Sequence, residues 1–155
     1  MTVQKQLRAP RGFDTWLRVG RTNLKVHRAL NLLLGELDLS LAQHEILLTI
    51  RRQSGLTQGE LSEQLLVVKS NATALLKKLE ARGLVRRSTD PADSRIRRLS
   101  LTRAGQALVE KSFAVQTRVV RAMASIMSDK ELAIMDEVMR RAGNAIDRLT
   151  EKARN

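Results

Sequence analysis

The chain has 155 residues, of which 43% are apolar and 28% are charged, enough for one domain or two small lobes with a hydrophobic core. It contains no cysteine, which excludes disulfides, thiolate catalysis and cysteine-ligated zinc. The net charge of +12 indicates an anionic partner. Proteins that bind single-stranded nucleic acid stack its bases on aromatic side chains, and one Trp and two Phe are too few for that. Among nucleic acids, the composition therefore favours duplex DNA as the anionic partner.

The first predicted helix covers residues 13–37 and follows a loose arm at residues 1–11. The arm has no apolar signal-peptide segment, and no apolar run is long enough to span a bilayer. We therefore expect a cytoplasmic protein from a bacterium. Apolar residues recur along the helix at steps of three, four and seven, the spacing of one helix face: Val19, Val26, Leu30, Leu33 and Leu37.

Two further helices are predicted at residues 40–53 and 57–65, and each starts with a capping box. A connector at residues 66–68 leads to another helix at 69–82, which Gly83 ends. Its inward stripe is Ala72, Leu75, Leu76 and Leu79, and its outer face is polar. Two helices joined by a tight turn, the second with a polar outer face, predict a helix-turn-helix motif. A plain helical hairpin with a solvated face is the alternative.

Two runs that alternate like strands, residues 84–88 and 96–101, flank a turn at Asp90-Pro91-Ala92-Asp93. Between residues 69 and 103, ten basic residues stand against three acidic ones, a net charge of +7. A basic hairpin that directly follows a helix-turn-helix makes a winged helix. An arginine at the tip of such a wing can enter the narrow minor groove of DNA, where the negative potential is enhanced.

Two long amphipathic helices are predicted at the C-terminus. Thr102 caps the first, which runs from 103 to 127, and a third capping box at Ser128 and Glu131 starts the second. Together with the first helix, they have more apolar surface than a small winged helix needs. Terminal arms that wrap a partner subunit would use it.

The chain resembles the MarR (multiple antibiotic resistance regulator) family of winged-helix repressors, most specifically in three segments: residues 75–87, residues 90–95 with their Asp-x-Arg, and residues 99–105 with their Leu-Thr-x-x-Gly. The resemblance covers nearly the whole chain. It implies a mainly α fold with a small β-hairpin wing, in which residues 1–37 and 103–155 dimerise and residues 38–102 bind DNA. It also implies a homodimer that binds a pseudo-palindromic operator, and a small anionic or aromatic effector.

The resemblance puts four polar residues on the recognition helix and has Asp93 orient Arg95 for the minor groove. An asparagine amide can pair with adenine, while Ser, Thr and Lys contact phosphates or base edges. An ordinary turn residue is the alternative for Asp93. Ala74 stands where the family commonly has Arg, and Val68 where a capping side chain is usual, which leaves the operator preference and the helix start open. The predicted DNA-binding residues are Ser70, Asn71, Thr73, Lys77, Asp93, Arg95 and Arg97.

Candidate effector-binding residues lie on the first helix: Trp16, Arg21 and His27. A Trp ring and nearby cationic groups suit an aromatic carboxylate. We favour the alternative that Trp16 anchors a dimer core and His27 is a partly exposed helix residue. For His44, the sequence supports a structural role and a functional role equally. Two histidines without cysteine or a ligand cluster do not predict a metal site, and no cofactor is expected.

Among function classes, an enzyme is disfavoured because the sequence has no phosphate-binding glycine loop, nucleophile–base motif or acid pair in an apolar setting. A protein lying on anionic membranes would need a basic amphipathic helix with bulky aromatics. The sequence therefore predicts a DNA-binding regulator, most simply an effector-released repressor. An architectural or nonspecific DNA-binding protein without effector is the rival interpretation.

Overall fold

The computed structural model describes residues 9–65 and 71–154, and these residues form six α-helices and two β-strands. In chain order they are α1 (Phe13–Gly35), α2 (Leu41–Arg52), α3 (Gln58–Gln64), α4 (Ala72–Ala81), β1 (Val85–Thr89), β2 (Arg97–Leu101), α5 (Arg103–Ala124) and α6 (Asp129–Arg154). The prediction of a mainly α fold with a β-hairpin wing is confirmed. Most boundaries agree with the predicted ones within about two residues. Residues 1–8 of the predicted arm, the connector at 66–68 and Ser70 lie outside the described residues.

Three helices begin at a two-way cap, as the sequence predicts. In each, the capping hydroxyl accepts a backbone N–H three residues on, and the side chain there accepts the N–H of the cap in return. These bonds satisfy backbone donors that a helix start would otherwise leave without partners. In that order of bonds, the pairs are Ser40 with Gln43 (3.2 and 2.9 Å), Thr57 with Glu60 (3.2 and 2.7 Å) and Ser128 with Glu131 (3.3 and 2.8 Å).

The hydrophobic core lies between the helices of the winged-helix region and its hairpin. Only the C-terminal part of α1 enters it, through Leu30 and Leu34. Val19, on the predicted apolar face of the same helix, is 45% exposed because no described segment of the protomer covers it. The fully buried core side chains include Leu34, Ile46, Leu47, Ile50, Leu61, Leu76, Leu79 and Leu99.

The wing is an antiparallel hairpin in which Val85 pairs with Leu101 and Thr89 pairs with Arg97. At its base, α5 begins very close to the residue before β1. The Thr102 N–H donates to the Leu84 carbonyl (3.0 Å), and the Thr102 hydroxyl accepts the Gly105 N–H (3.0 Å), which confirms the predicted cap. A Cβ on Gly105 would lie 2.0 Å from the Leu84 carbonyl oxygen, so only glycine fits there.

The chain divides into two compact units, one ending at Gln116 and the other beginning at Thr117. The first contains α1 to β2 and most of α5, and the second contains the end of α5 and all of α6. Among the described residues, no helix has both the length and the apolar character needed to cross a membrane. In the second unit, α6 exposes a row of large apolar side chains: Ile134, Met135, Val138, Met139, Ile146 and Leu149.

Candidate nucleic-acid interface

Helix α4 has one buried side and one polar side. Ala72, Leu76 and Leu79 are buried, and this fixes which way the helix faces. Asn71, at the N-cap, does not use its side chain as a cap. The predicted contact residues Asn71, Thr73 and Lys77 are all exposed, and so is Ala74. The structure therefore brings the predicted recognition residues that it describes onto one outer surface.

A network of side chains ties this surface to the wing. The Gln58 amide, at the start of α3, donates to the Thr73 hydroxyl (2.7 Å) and accepts a hydrogen bond from the Arg87 guanidinium (3.1 Å). Arg87 also pairs with Glu80 near the end of α4 (2.5 Å). The sequence gives no signal for the role of Gln58, because its partners come from three different elements.

At the tip of the wing, Asp93 holds Arg95 through three hydrogen bonds. The carboxylate accepts from the Arg95 backbone N–H (2.9 Å) and from two guanidinium nitrogens (3.1 and 3.0 Å). These bonds, the side-chain ones foremost, hold the pKa of Asp93 below its ordinary value, and the pKa of Arg95 is raised in return. The Arg95 side chain is 88% exposed, so its charge stands in solvent while its direction is fixed.

Asp90 stabilises the turn that carries this pair. One carboxylate oxygen accepts the backbone N–H of Ala92 (2.7 Å) and of Asp93 (3.2 Å), and the other pairs with Arg98 (2.5 Å). The Arg98 hydrogen bond is the main reason that the pKa of Asp90 lies below its ordinary value. An Asp before Pro-Ala is a turn signal that the sequence offered; its pairing with Arg98 requires the folded hairpin.

The root of the wing is joined to the connection between α2 and α3. Arg98 donates to the Gly55 carbonyl (2.9 Å), while the backbone of Leu99 accepts from Gly55 (2.8 Å) and donates to Leu56 (2.8 Å). Arg97, a predicted DNA contact, is exposed and bonds to Thr89 across the hairpin. Arginines of the basic region such as Arg87 and Arg98 thus stabilise the fold through bonds to other elements. Lys77 and Arg95 are among the charged side chains that are exposed.

The first compact unit also contains a cavity of about 260 Å³ between α1, α2 and α5. His27 lines it, whereas Trp16 and Arg21 do not. Trp16 is 66% exposed and stacks on Phe13 with 5.7 Å between ring centroids. The effector residues predicted on the first helix are therefore not gathered at one site within the protomer. The cavity is lined by Asn23, Val26, His27, Leu30, Leu41, His44, Glu45, Leu48, Thr49, Arg52, Gln64 and Gln116.

His44 forms part of this cavity wall and is only 1% exposed. Its Nδ1 lies 3.0 Å from the Ser112 hydroxyl and its Nε2 lies 3.1 Å from the Gln116 amide oxygen, so it links α2 to α5. Burial lowers the pKa of His44 below 6.5, against smaller opposing effects of the Gln116 hydrogen bond and the Glu45 charge. The sequence left its role open, since both partners lie far away along the chain.

Known proteins are similar to this chain in sequence and fold. The MarR family model matches residues 37–96. An uncharacterized HTH-type transcriptional regulator of Bacillus cereus (strain ZK / E33L) is 30% identical over 125 residues, 80% of this chain and 83% of that protein. The transcriptional regulator HosA of Escherichia coli O111:H- is 30% identical over 108 residues, 70% of this chain and 80% of HosA. The crystal structure of an E. coli MarR mutant complexed with operator DNA matches with a TM-score of 0.73 and 25% identity, over 86% of this chain and 99% of that chain.

Proposed function

Since this chain belongs to the MarR family of transcription regulators, we propose that it is a sequence-specific repressor that binds a pseudo-palindromic operator in the bacterial cytoplasm. The observation that carries this proposal is the pairing of Asp93 with an otherwise exposed Arg95 at the wing tip, beside a helix with a polar outer face. The complex of the E. coli MarR mutant with operator DNA supports this mode of binding. The named relatives are regulators, which supports a role other than catalysis.

In this proposal, helix α4 and the wing contact different grooves of the DNA. Helix α4 enters the major groove, where Asn71 and Thr73 read base edges and Lys77 contacts a phosphate. Ser70 and Arg97 extend this contact along the backbone of the DNA. Arg95 enters the minor groove, and Asp93 fixes its guanidinium in advance, which reduces the entropy lost on insertion.

A homodimer would place two such surfaces on two half-sites of the operator. Exposed apolar side chains support this proposal in both compact units: Phe13, Trp16 and Leu24 on α1, and the row on α6. Large apolar surfaces left open on a monomer commonly mark an interface with another chain. We assign dimerisation to residues 1–37 and 103–155 and DNA binding to residues 38–102, with Trp16 as an interface anchor.

The cavity between α1, α2 and α5 is the proposed effector site. Its walls are apolar at Val26, Leu30 and Leu48, and its charged groups are Arg52 and Glu45. Arg52 can pair with a small anionic ligand while the apolar walls take its apolar body. Its volume of about 260 Å³ is below the roughly 300–1,000 Å³ typical of sites for drug-sized ligands. A single-ring aromatic acid is therefore the class of effector that we propose.

A DNA titration separates this proposal from a nonspecific DNA-binding protein. The full chain is titrated against the DNA upstream of its own gene and against a scrambled duplex of equal length, at two salt concentrations. A repressor should prefer the upstream DNA by about a thousandfold or more. Equal affinity for both duplexes would favour the architectural alternative. Repeating the titration with a panel of aromatic carboxylates tests whether an effector releases the DNA.

A further inference from the structure

Both ring nitrogens of His44 have a hydrogen-bond partner on α5. Ser112 and Gln116 lie one helical turn apart, one facing each ring nitrogen of His44. Ser112 is fully buried, like His44 itself. Both partners are uncharged, so they place the imidazole without compensating a charge on it.

The hydrogens in this cluster fit a doubly protonated ring. The Ser112 hydroxyl donates to the Val109 carbonyl (3.1 Å), which leaves its oxygen lone pairs to accept from Nδ1–H of His44. The Gln116 amide oxygen faces Nε2 and accepts from Nε2–H. An imidazolium therefore has an acceptor for each of its two N–H groups. A neutral ring needs only the Ser112 hydroxyl to turn from Val109 to Nδ1, and no heavy atom moves.

In the free protein, the negative charge of Glu45 favours the imidazolium, but burial of the ring outweighs it. From α2, Glu45 and Arg52 line the same cavity, and from α1 His27 does. The lining residues of α3 and α5, Gln64 and Gln116, are uncharged. Burial lowers the pKa of His44, so the ring is neutral at neutral pH. A carboxylate bound in the cavity would add a second negative charge near the ring and so favour its protonation.

Building on the effector site proposed above, we propose that His44 is the anion-recognising group of this cavity and takes up one proton from solvent when a small carboxylate binds. The bound pair is an imidazolium and a carboxylate, so the site gains no net charge. Gln116 connects them: its amide oxygen accepts from His44, and the –NH₂ of the same amide is a donor for the carboxylate. Apolar side chains at Val26 and Leu48 contact the body of the acid.

Calorimetry tests the proton uptake directly, with benzoate as the probe. The full-length chain is titrated with benzoate at pH 6.5 and 7.5, each in two buffers of different ionisation enthalpy. At pH 7.5 the uptake should approach one proton, and the affinity should fall by about tenfold for each pH unit above the ligand-free pKa of His44. Benzyl alcohol, which has the same ring but no charge, should show no proton uptake.

Two matched variants identify the proton acceptor. His44→Asn keeps hydrogen-bonding atoms but cannot become charged, and it should abolish the uptake. His27→Asn changes the other imidazole in the cavity wall; it is expected to weaken benzoate binding but to leave the proton uptake per bound benzoate intact. Since His44→Asn could disturb folding, ¹⁵N NMR of the wild-type histidines gives a second measurement: benzoate at pH 7.5 should convert the His44 ring to its imidazolium form.

The possible results are distinct. Benzoate binding without proton uptake, or with uptake that persists in His44→Asn, would overturn the role of His44 while leaving the effector site in place. Proton uptake that disappears only in His27→Asn would assign the proton to His27 and would also overturn the role of His44. No binding even at pH 6.5 would overturn both the role and the site. Proton-linked binding that does not release DNA would support the role and contradict effector release.

Discussion

Replacing Gly105 with alanine should destabilise the protein, although alanine is the better helix former. The added Cβ would lie 2.0 Å from the Leu84 carbonyl oxygen, 1.4 Å inside the ordinary contact limit of 3.4 Å, and 3.0 Å from the carbonyl carbon. The obstacle is backbone, which cannot swing away as a flexible side chain can. Either α5 or the start of β1 must move.

The cost follows from that movement. Forcing extra volume into a packed site costs about 1–3 kcal/mol. Shifting Leu84 also weakens the hydrogen bond that its carbonyl accepts from Thr102, worth about 1 kcal/mol. The helix preference for alanine over glycine returns roughly 0.5–1 kcal/mol. We therefore expect the free energy of unfolding to fall by roughly 2 kcal/mol.

Urea denaturation at one fixed protein concentration measures this change, since the stability of a dimer depends on concentration. Gly59→Ala is the matched control, because the new Cβ on this α3 glycine would meet only the Thr57 hydroxyl at 3.9 Å. That variant should be more stable by about 0.4–1 kcal/mol. If Gly105→Ala were as stable as Gly59→Ala, the close approach of α5 to Leu84 would be refuted.

The other predictions concern DNA binding and pH. Arg95→Ala should weaken operator binding by about tenfold per half-site without unfolding the dimer, and unchanged affinity in a gel shift would contradict its role. Lys77→Ala should weaken operator and random DNA alike and reduce the salt slope by about one per protomer; a loss confined to one base position would argue against a phosphate contact. Because the pKa of His44 is lowered on folding, the unfolded chain binds that proton more readily. Stability should therefore fall as the pH drops below about 6.5, and an identical fall in His44→Asn would exclude this cause.

Local chemistry explains why the order of helices could be predicted so fully. The caps at Ser40, Thr57 and Ser128 join residues three positions apart, so a short stretch of sequence contains the whole interaction. The wing also follows from local signals, because Asp90 and Pro91 mark a turn between two alternating runs. The Asp93 and Arg95 pair is separated by only two residues.

The remaining features depend on residues far apart in the chain. Val19 belongs to the apolar stripe of α1, yet periodicity cannot tell a face that enters the protomer core from one left for another chain. The partners of His44, Ser112 and Gln116, lie 68 and 72 residues further along the chain. Gln58 gains its role only when α3, α4 and β1 meet. Such contacts require the tertiary fold, which no short sequence pattern contains.

The attachment of the wing at its root has a mechanical consequence. Arg98 and the Leu99 backbone fasten the hairpin to Gly55 and Leu56, just beyond the end of α2, while Arg95 lies at the far end. The hairpin is therefore attached at its root to the segment after α2, and the position of its tip depends on the orientation of that attachment. Since α2 also forms a wall of the cavity, the segment that lines the cavity continues directly into the segment that holds the root of the wing.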